Sequence, residues 1–95
     1  MAQIIWHKRA TQQFQAIQTY LLEEFGKKAA KEFTFHSFQF LELLQQFPTL
    51  GTIENPEKNI RGFVLHRHTT LLYKSVNEKI YLLAFFDNRQ NPSKK

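Results

Sequence analysis

The stretch IRGFVLHRHTTLLYKSVNEKIYLLAFFDNR, residues Ile60–Arg89, decides the fold of this chain. It contains three apolar runs of 6 to 8 residues, separated by short polar breaks at residues 67–69 and 76–78. The runs are rich in β-branched, aromatic and leucine side chains. Runs of this length and composition, joined by short breaks, predict three consecutive strands of an antiparallel meander.

Upstream of this stretch, apolar residues recur with the period of a helix. A first helix is predicted to begin at Lys8 and to stop at Gly26, and its apolar face consists of Ala10, Phe14, Ile17, Leu21 and Phe25. A second helix is predicted from about Lys28 to Phe47, ended by Pro48. Its apolar stripe consists of Phe33, Ser37, Phe40, Leu44 and Phe47, widened by Leu41 and Leu43.

Two shorter segments complete the pattern. Gln3–Trp6 is apolar and β-branched, and it predicts a strand that joins the later sheet. Residues 48–59, PTLGTIENPEKN, contain two prolines, one glycine and two asparagines, which predict a loop. The predicted order is β-α-α-β-β-β, a single α+β domain over residues 1–95. Its N-terminal strand and α-helical hairpin pack on one face of a mostly antiparallel sheet.

The composition limits the classes of function. The chain has no cysteine, which excludes disulfides and thiolate metal sites. No apolar run approaches the length of a membrane helix or a signal peptide, so we expect a cytoplasmic protein without a membrane partner. The net charge is +5, and residues 48–95 hold eight Lys and Arg against four Asp and Glu. Such a basic half suits a polyanion or an acidic protein segment, or it is an ordinary solvated surface.

The strand half also holds the candidate chemical groups: Arg61, His66, Arg67, His68, Tyr73, Lys74, Asp87 and Arg89. Arginine and lysine can hold phosphates, and a histidine can transfer a proton in RNA cleavage that needs no metal. The two histidines at positions 66 and 68 lack a third ligand at a convincing spacing, so we expect no metal. The three glycines are not clustered into a phosphate-binding loop, and we expect no cofactor.

Four landmarks give the chain a family resemblance. They are Phe47-Pro48-x-x-Gly51, Ile60-Arg61, Leu72-Tyr73-Lys74 and Asp87-Asn88-Arg89. Together with the sequence of the predicted helical hairpin, these landmarks make the chain resemble the toxins of the RelE/ParE superfamily, which belong to bacterial type II toxin–antitoxin modules. The resemblance implies a small basic toxin that is neutralised by a cognate antitoxin, with which it can form a hetero-oligomer. In this superfamily the RelE branch cleaves mRNA on the ribosome without a metal, and the ParE branch acts on DNA gyrase.

The two branches imply different roles for the same residues. The long helical hairpin is more similar to ParE, and we favour a gyrase inhibitor. A RelE-like mRNA interferase and a decayed toxin that only binds its antitoxin are the alternatives. If the chain is catalytic, the expected residues are Arg61, Arg89, His66 and Tyr73, and the expected target-binding or phosphate-binding residues are Arg67, His68, Lys74 and Asp87. Arg89 matches the arginine that follows the last strand in RelE. Thr70, however, stands where RelE has an arginine in the middle strand, and the functional tyrosine that RelE has beyond its final arginine has no counterpart after Arg89.

Overall fold

The computed structural model describes residues 1–66 and 68–89 of the chain. In chain order the elements are β1 (Gln3–Trp6), α1 (Lys8–Phe25), α2 (Lys27–Gln46), β2 (Thr52–Asn55), β3 (Ile60–His66), β4 (Thr69–Val76) and β5 (Lys79–Asp87). The α+β class, the helical hairpin and the three strands of the 60–89 stretch are confirmed. Neither described helix is long and apolar enough to cross a membrane.

The strands form one five-stranded sheet in the order β1-β5-β4-β3-β2. β1 pairs in parallel with β5, and all other neighbours are antiparallel. β4 and β5 are joined through Asn77 and Glu78, which both have positive φ, at 50° and 63°. Two consecutive positive φ angles are typical of the tight hairpin turn that matches the twist of a sheet. The first strand of the chain therefore lies beside the last.

β2 corrects the prediction of a loop over residues 48–59. Thr52 pairs with Gly62 and Ile53 with Arg61, so β2 forms the edge of the sheet. The strand, Thr52–Asn55, stands between turn-forming residues, and it lacks the consecutive apolar side chains from which β1 was predicted. It forms because β3 offers a row of backbone hydrogen-bonding groups, which is a tertiary effect.

The helical hairpin packs on one face of the sheet and closes one apolar core. Most of the predicted helical faces are buried: Ala10, Phe14, Ile17, Leu21, Phe33, Ser37, Phe40, Leu41 and Leu44. The predicted burial of three residues on these faces is wrong: Phe25, Leu43 and Phe47 are 57%, 44% and 54% exposed. Phe25 ends α1 and Phe47 follows α2, where the helical period continues although fewer neighbours remain to cover a side chain.

An irregularity in β5 shifts its alternation between the two faces. Leu72 pairs with Ala84 but the next residue, Tyr73, pairs with Leu82, so Leu83 is an extra residue in β5. An extra residue moves every later side chain to the opposite face. For this reason Leu82 and Phe85 both belong to the core although an odd number of positions separates them.

Candidate functional site

Tyr73 lies in the core and holds the loop between α2 and β2. Its side chain is fully buried. The Tyr73 hydroxyl donates to the Pro48 carbonyl at 2.9 Å and accepts the Gly51 N–H at 2.8 Å. Burial raises the pKa of Tyr73, and the Gly51 N–H and the charge of Arg61 only partly oppose that rise. The neutral hydroxyl therefore stays bound to two backbone groups.

Arg61 reaches the same loop from the neighbouring strand. It pairs with Tyr73 across β3 and β4. Its Nη1 donates to the carbonyl of Gly51 at 2.8 Å and to that of Thr49 at 3.3 Å. A Cβ on Gly51 would meet the Gly62 carbonyl oxygen at 2.8 Å, so only glycine fits there. Three of the four sequence landmarks thus meet in one structural feature, which we call the loop clamp: Tyr73, Arg61 and the backbone of residues 48–51.

The fourth landmark forms a second structural feature at the end of β5. Asp87 is 5% exposed and pairs with Thr69 across β4 and β5. Its carboxylate accepts the Thr69 hydroxyl at 2.7 Å, and Arg89 donates to it from Nη2 at 2.7 Å and from Nε at 3.1 Å. We call Thr69, Asp87 and Arg89 the strand-end clamp. A fork of two hydrogen bonds between opposite charges is the strongest geometry available to this pair.

The charges of the strand-end clamp shift each other's pKa values. Burial acts to raise the pKa of Asp87, but the hydrogen bonds from Arg89 and Thr69 outweigh burial and hold that pKa below its ordinary value. The hydrogen bond to Asp87 raises the pKa of Arg89 in turn. The Tyr20 hydroxyl donates to the Arg89 carbonyl at 3.2 Å, and the guanidinium lies 5.8 Å from the centre of the Phe25 ring. Arg89 therefore fastens the end of the sheet to α1.

The two clamps lie at different places along the sheet. Arg61 is opposite Tyr73, and Asp87 is opposite Thr69, which precedes Tyr73 by four residues in β4. At about 3.3 Å per residue, the two clamps are about 13 Å apart. Arg61 and Arg89 therefore belong to separate clamps and donate to different internal acceptors.

The remaining sequence-predicted residues are placed as follows. His66 ends β3 opposite Thr69, but its side chain and all of Arg67 lie outside the described part of the structure. The His68 ring lies beside Asn88, with 3.1 Å between Nδ1 and Oδ1. Lys74 pairs with Ile60 and Tyr81 and lines a groove on the sheet. Within residues 1–66 and 68–89 there is no group of three potential metal ligands.

A comparison with protein families now identifies the class of this scaffold. Residues 4–92 match the sequence model of the ParE toxin of the type II toxin–antitoxin system ParDE. The chain belongs to the ParE toxin family. It is the toxin component of a type II toxin–antitoxin system, and its partner is a cognate antitoxin.

Solved structures show the same fold. The chromosomal ParDE toxin–antitoxin system from P. aeruginosa matches this ParE-family toxin with a TM-score of 0.74 and 20% sequence identity, over 92% of this chain and 96% of that chain. A copper-bound mutant toxin from Helicobacter pylori matches with a TM-score of 0.65 and 14% identity, over 95% of this chain and 98% of that chain. A comparison with curated protein sequences finds no significant match.

Among the grooves lined by the described residues of this ParE-family toxin, two are of interest for partner binding, and sequence patterns revealed neither. The first, the hairpin groove, has a volume of about 560 Å³ between the outer sides of α1 and α2. Its apolar walls include Leu22, Phe35 and Phe38, which are 47%, 61% and 48% exposed. Large exposed apolar side chains that are grouped in this way mark a protein contact surface.

The second surface, the sheet groove, lies on the face of the sheet opposite the helices. It has a volume of about 400 Å³ and is lined by His7, Lys58, Ile60, Lys74, Val76, Tyr81 and Leu83. Leu83, the extra residue of β5, lies in its lining. Lys58 lies two residues before β3, and His7 immediately precedes α1. With the residues of β4 and β5, the lining therefore comes from four separate parts of the chain.

Proposed function

We propose that this toxin inhibits growth by binding DNA gyrase and does not act as an mRNA interferase. One observation supports this proposal above the others. Arg61 and Arg89, the arginines on which phosphate binding and catalysis would depend, both donate to internal acceptors, and the two clamps that hold them lie at strand positions about 13 Å apart along the sheet. A cleavage site needs such donors preorganised around one reacting phosphate. The exposed features are instead apolar and basic grooves suited to protein contact.

Tyr73 supports the same proposal. The RelE-like interpretation gave this residue a role in proton transfer. Its hydroxyl is buried, both of its hydrogen bonds go to backbone groups, and its pKa is raised by burial. A group in that position does not reach a substrate on the protein surface. We also place the toxin in the cytoplasm, where bacterial gyrase works on the chromosome.

We further propose that the antitoxin binds the hairpin groove through an amphipathic helix. The groove offers Phe35 and Phe38 to an apolar stripe, and Lys31 is the charged residue in its lining. A helix with an apolar stripe and an acidic residue at the matching end complements both features. Replacing Phe35 by serine is expected to weaken neutralisation by the antitoxin at least tenfold while growth inhibition persists.

The test of the gyrase proposal uses the toxin alone. Purified toxin is titrated into a supercoiling reaction with DNA gyrase and relaxed plasmid, and transcript 5′ ends are mapped in cells after induction. We expect inhibition of supercoiling and no new transcript ends. New ribosome-dependent ends with unchanged supercoiling would establish mRNA cleavage instead. Tight antitoxin binding without any growth defect would establish a toxin that has lost its activity.

A further inference from the structure

The sheet groove combines an aliphatic floor with positive charge. Ile60, Val76 and Leu83 supply the floor, and Lys58 and Lys74 supply two cations. Its volume of about 400 Å³ is within the range of sites that hold a specific ligand or several side chains of a partner. In the described part of the chain, no helix packs on this face, since both helices contribute to the core on the other side.

Among the described residues, the lysines of the groove have no ion-pair partner. The ion pair found in residues 1–66 and 68–89 joins Asp87 to Arg89, in the strand-end clamp. Lys58 and Lys74 have no carboxylate within 4.0 Å among these residues, and no acidic residue lines the groove. A carboxylate that enters a partly desolvated site beside two cations is attracted to both of them. It also offsets the mutual repulsion of the two lysine ammonium groups.

The walls favour a protein over a nucleic acid. Single-stranded nucleic acid binds on exposed aromatic faces, one for each stacked base. Here the Tyr81 ring is engaged by His7, whose ring lies 5.9 Å away at an angle of 61°. The rest of the floor is aliphatic. Aliphatic side chains beside lysines match leucine-like and carboxylate side chains of a polypeptide.

We propose that the sheet groove is the surface with which this toxin contacts gyrase, and that it receives an acidic, apolar segment of that enzyme. The inference rests on the proposed function, because it names the contact surface for the same target. It assigns the target to the open face of the sheet and leaves the hairpin groove to the antitoxin. The two partners therefore occupy opposite sides of the fold.

The test compares two double charge reversals in the full chain. Lys58→Glu with Lys74→Glu reverses the groove, and Lys27→Glu with Lys28→Glu makes the same change of net charge at exposed positions of α2 outside both grooves. We expect the toxin concentration that half-inhibits supercoiling to rise at least about tenfold for the groove variant and less than about twofold for the α2 variant. Thermal unfolding of both variants is measured alongside.

If the groove reversal fails to fold, Lys58→Gln with Lys74→Gln replaces it, and a rise of about threefold is expected because attraction is lost without repulsion. Equal inhibition by wild type and a folded groove variant would overturn this inference while the gyrase proposal stands. No inhibition by the wild type would overturn the proposed function itself. Micromolar binding of a 20-nucleotide RNA by the wild type that the groove variant loses would assign the groove to nucleic acid and overturn the inference.

Discussion

Tyr73→Phe separates a structural role of this tyrosine from a catalytic one. The change removes one oxygen atom and both hydrogen bonds of the loop clamp that depend on it. The Gly51 N–H is buried and loses its acceptor, whereas the Pro48 carbonyl is only half-buried and can bind water. One buried group without a partner and one lost net hydrogen bond cost about 2–3 kcal/mol.

This cost is large for a chain of 95 residues. Domains of this size lose about 4–8 °C of melting temperature per kcal/mol, so Tyr73→Phe is expected to lower Tm by about 10–20 °C. Circular dichroism during heating and urea unfolding at pH 7 measure the effect. Gyrase inhibition below the melting transition is expected to stay close to that of the wild type, since the hydroxyl does not reach the surface.

Tyr81→Phe is the matched control, since it removes the same atom from a half-buried tyrosine in the sheet groove. We expect its free energy of unfolding to change by less than about 0.5 kcal/mol. The structural reasoning would be refuted if Tyr73→Phe left Tm unchanged and abolished growth inhibition. That result would return the tyrosine to the catalytic role that the sequence predicted.

Three further substitutions test other contacts. Asp87→Asn is expected to destabilise the protein by about 3 kcal/mol at pH 7, because Arg89 loses its carboxylate. The pKa of Asp87 is lowered in the folded protein, so the stability that its carboxylate contributes is present above the ordinary aspartate pKa and is lost as pH falls through the lowered pKa. Denaturant titrations of wild type and Asp87→Asn at several pH values measure this loss. A stability difference between the two proteins that persisted below both pKa values would contradict the reasoning. Ser37→Ala is expected to raise the unfolding free energy by about 1 kcal/mol, because the buried hydroxyl has no partner among the described residues, and a lower melting temperature would reveal one. Gly51→Ala is expected to cost about 2–3 kcal/mol in urea unfolding, because the new Cβ would lie 2.9 Å from the Tyr73 hydroxyl, and normal stability would show that the loop clamp can move.

Most of the fold that sequence predicted has a long periodic pattern, and only β1 was predicted from a short apolar segment. The two helices and the strands from residue 60 onward repeat their apolar positions often enough to specify type and face. β2 has four residues and no pattern of its own, since pairing with β3 forms it. The ends of the helices were predicted to within about one residue, but the burial of Phe25 and Phe47 was mispredicted, because these residues continue the helical period at places that the core does not cover.

The candidate site shows a different limit. The sequence placed basic and polar residues on the strands, but it did not show which of them are buried. The extra residue Leu83 moves the later part of β5 to the other face, and Asp87 becomes buried. No local sequence pattern predicts this change of face within β5. Nor does spacing reveal the internal acceptor of Arg61, since Gly51 is ten residues away in sequence and comes close to Arg61 only in the folded sheet.

The loop clamp has a consequence for how proteins of this architecture can diverge. Tyr73 and Arg61 bind only main-chain atoms of residues 48–51. The identities of the side chains at Thr49 and Leu50 are irrelevant to these bonds, and both residues are exposed. Successive substitutions at these two positions can therefore change what the molecule displays beside its sheet edge without reducing its stability. The loop clamp fixes the path of the backbone, and the side chains exposed at these two positions are free to vary under selection.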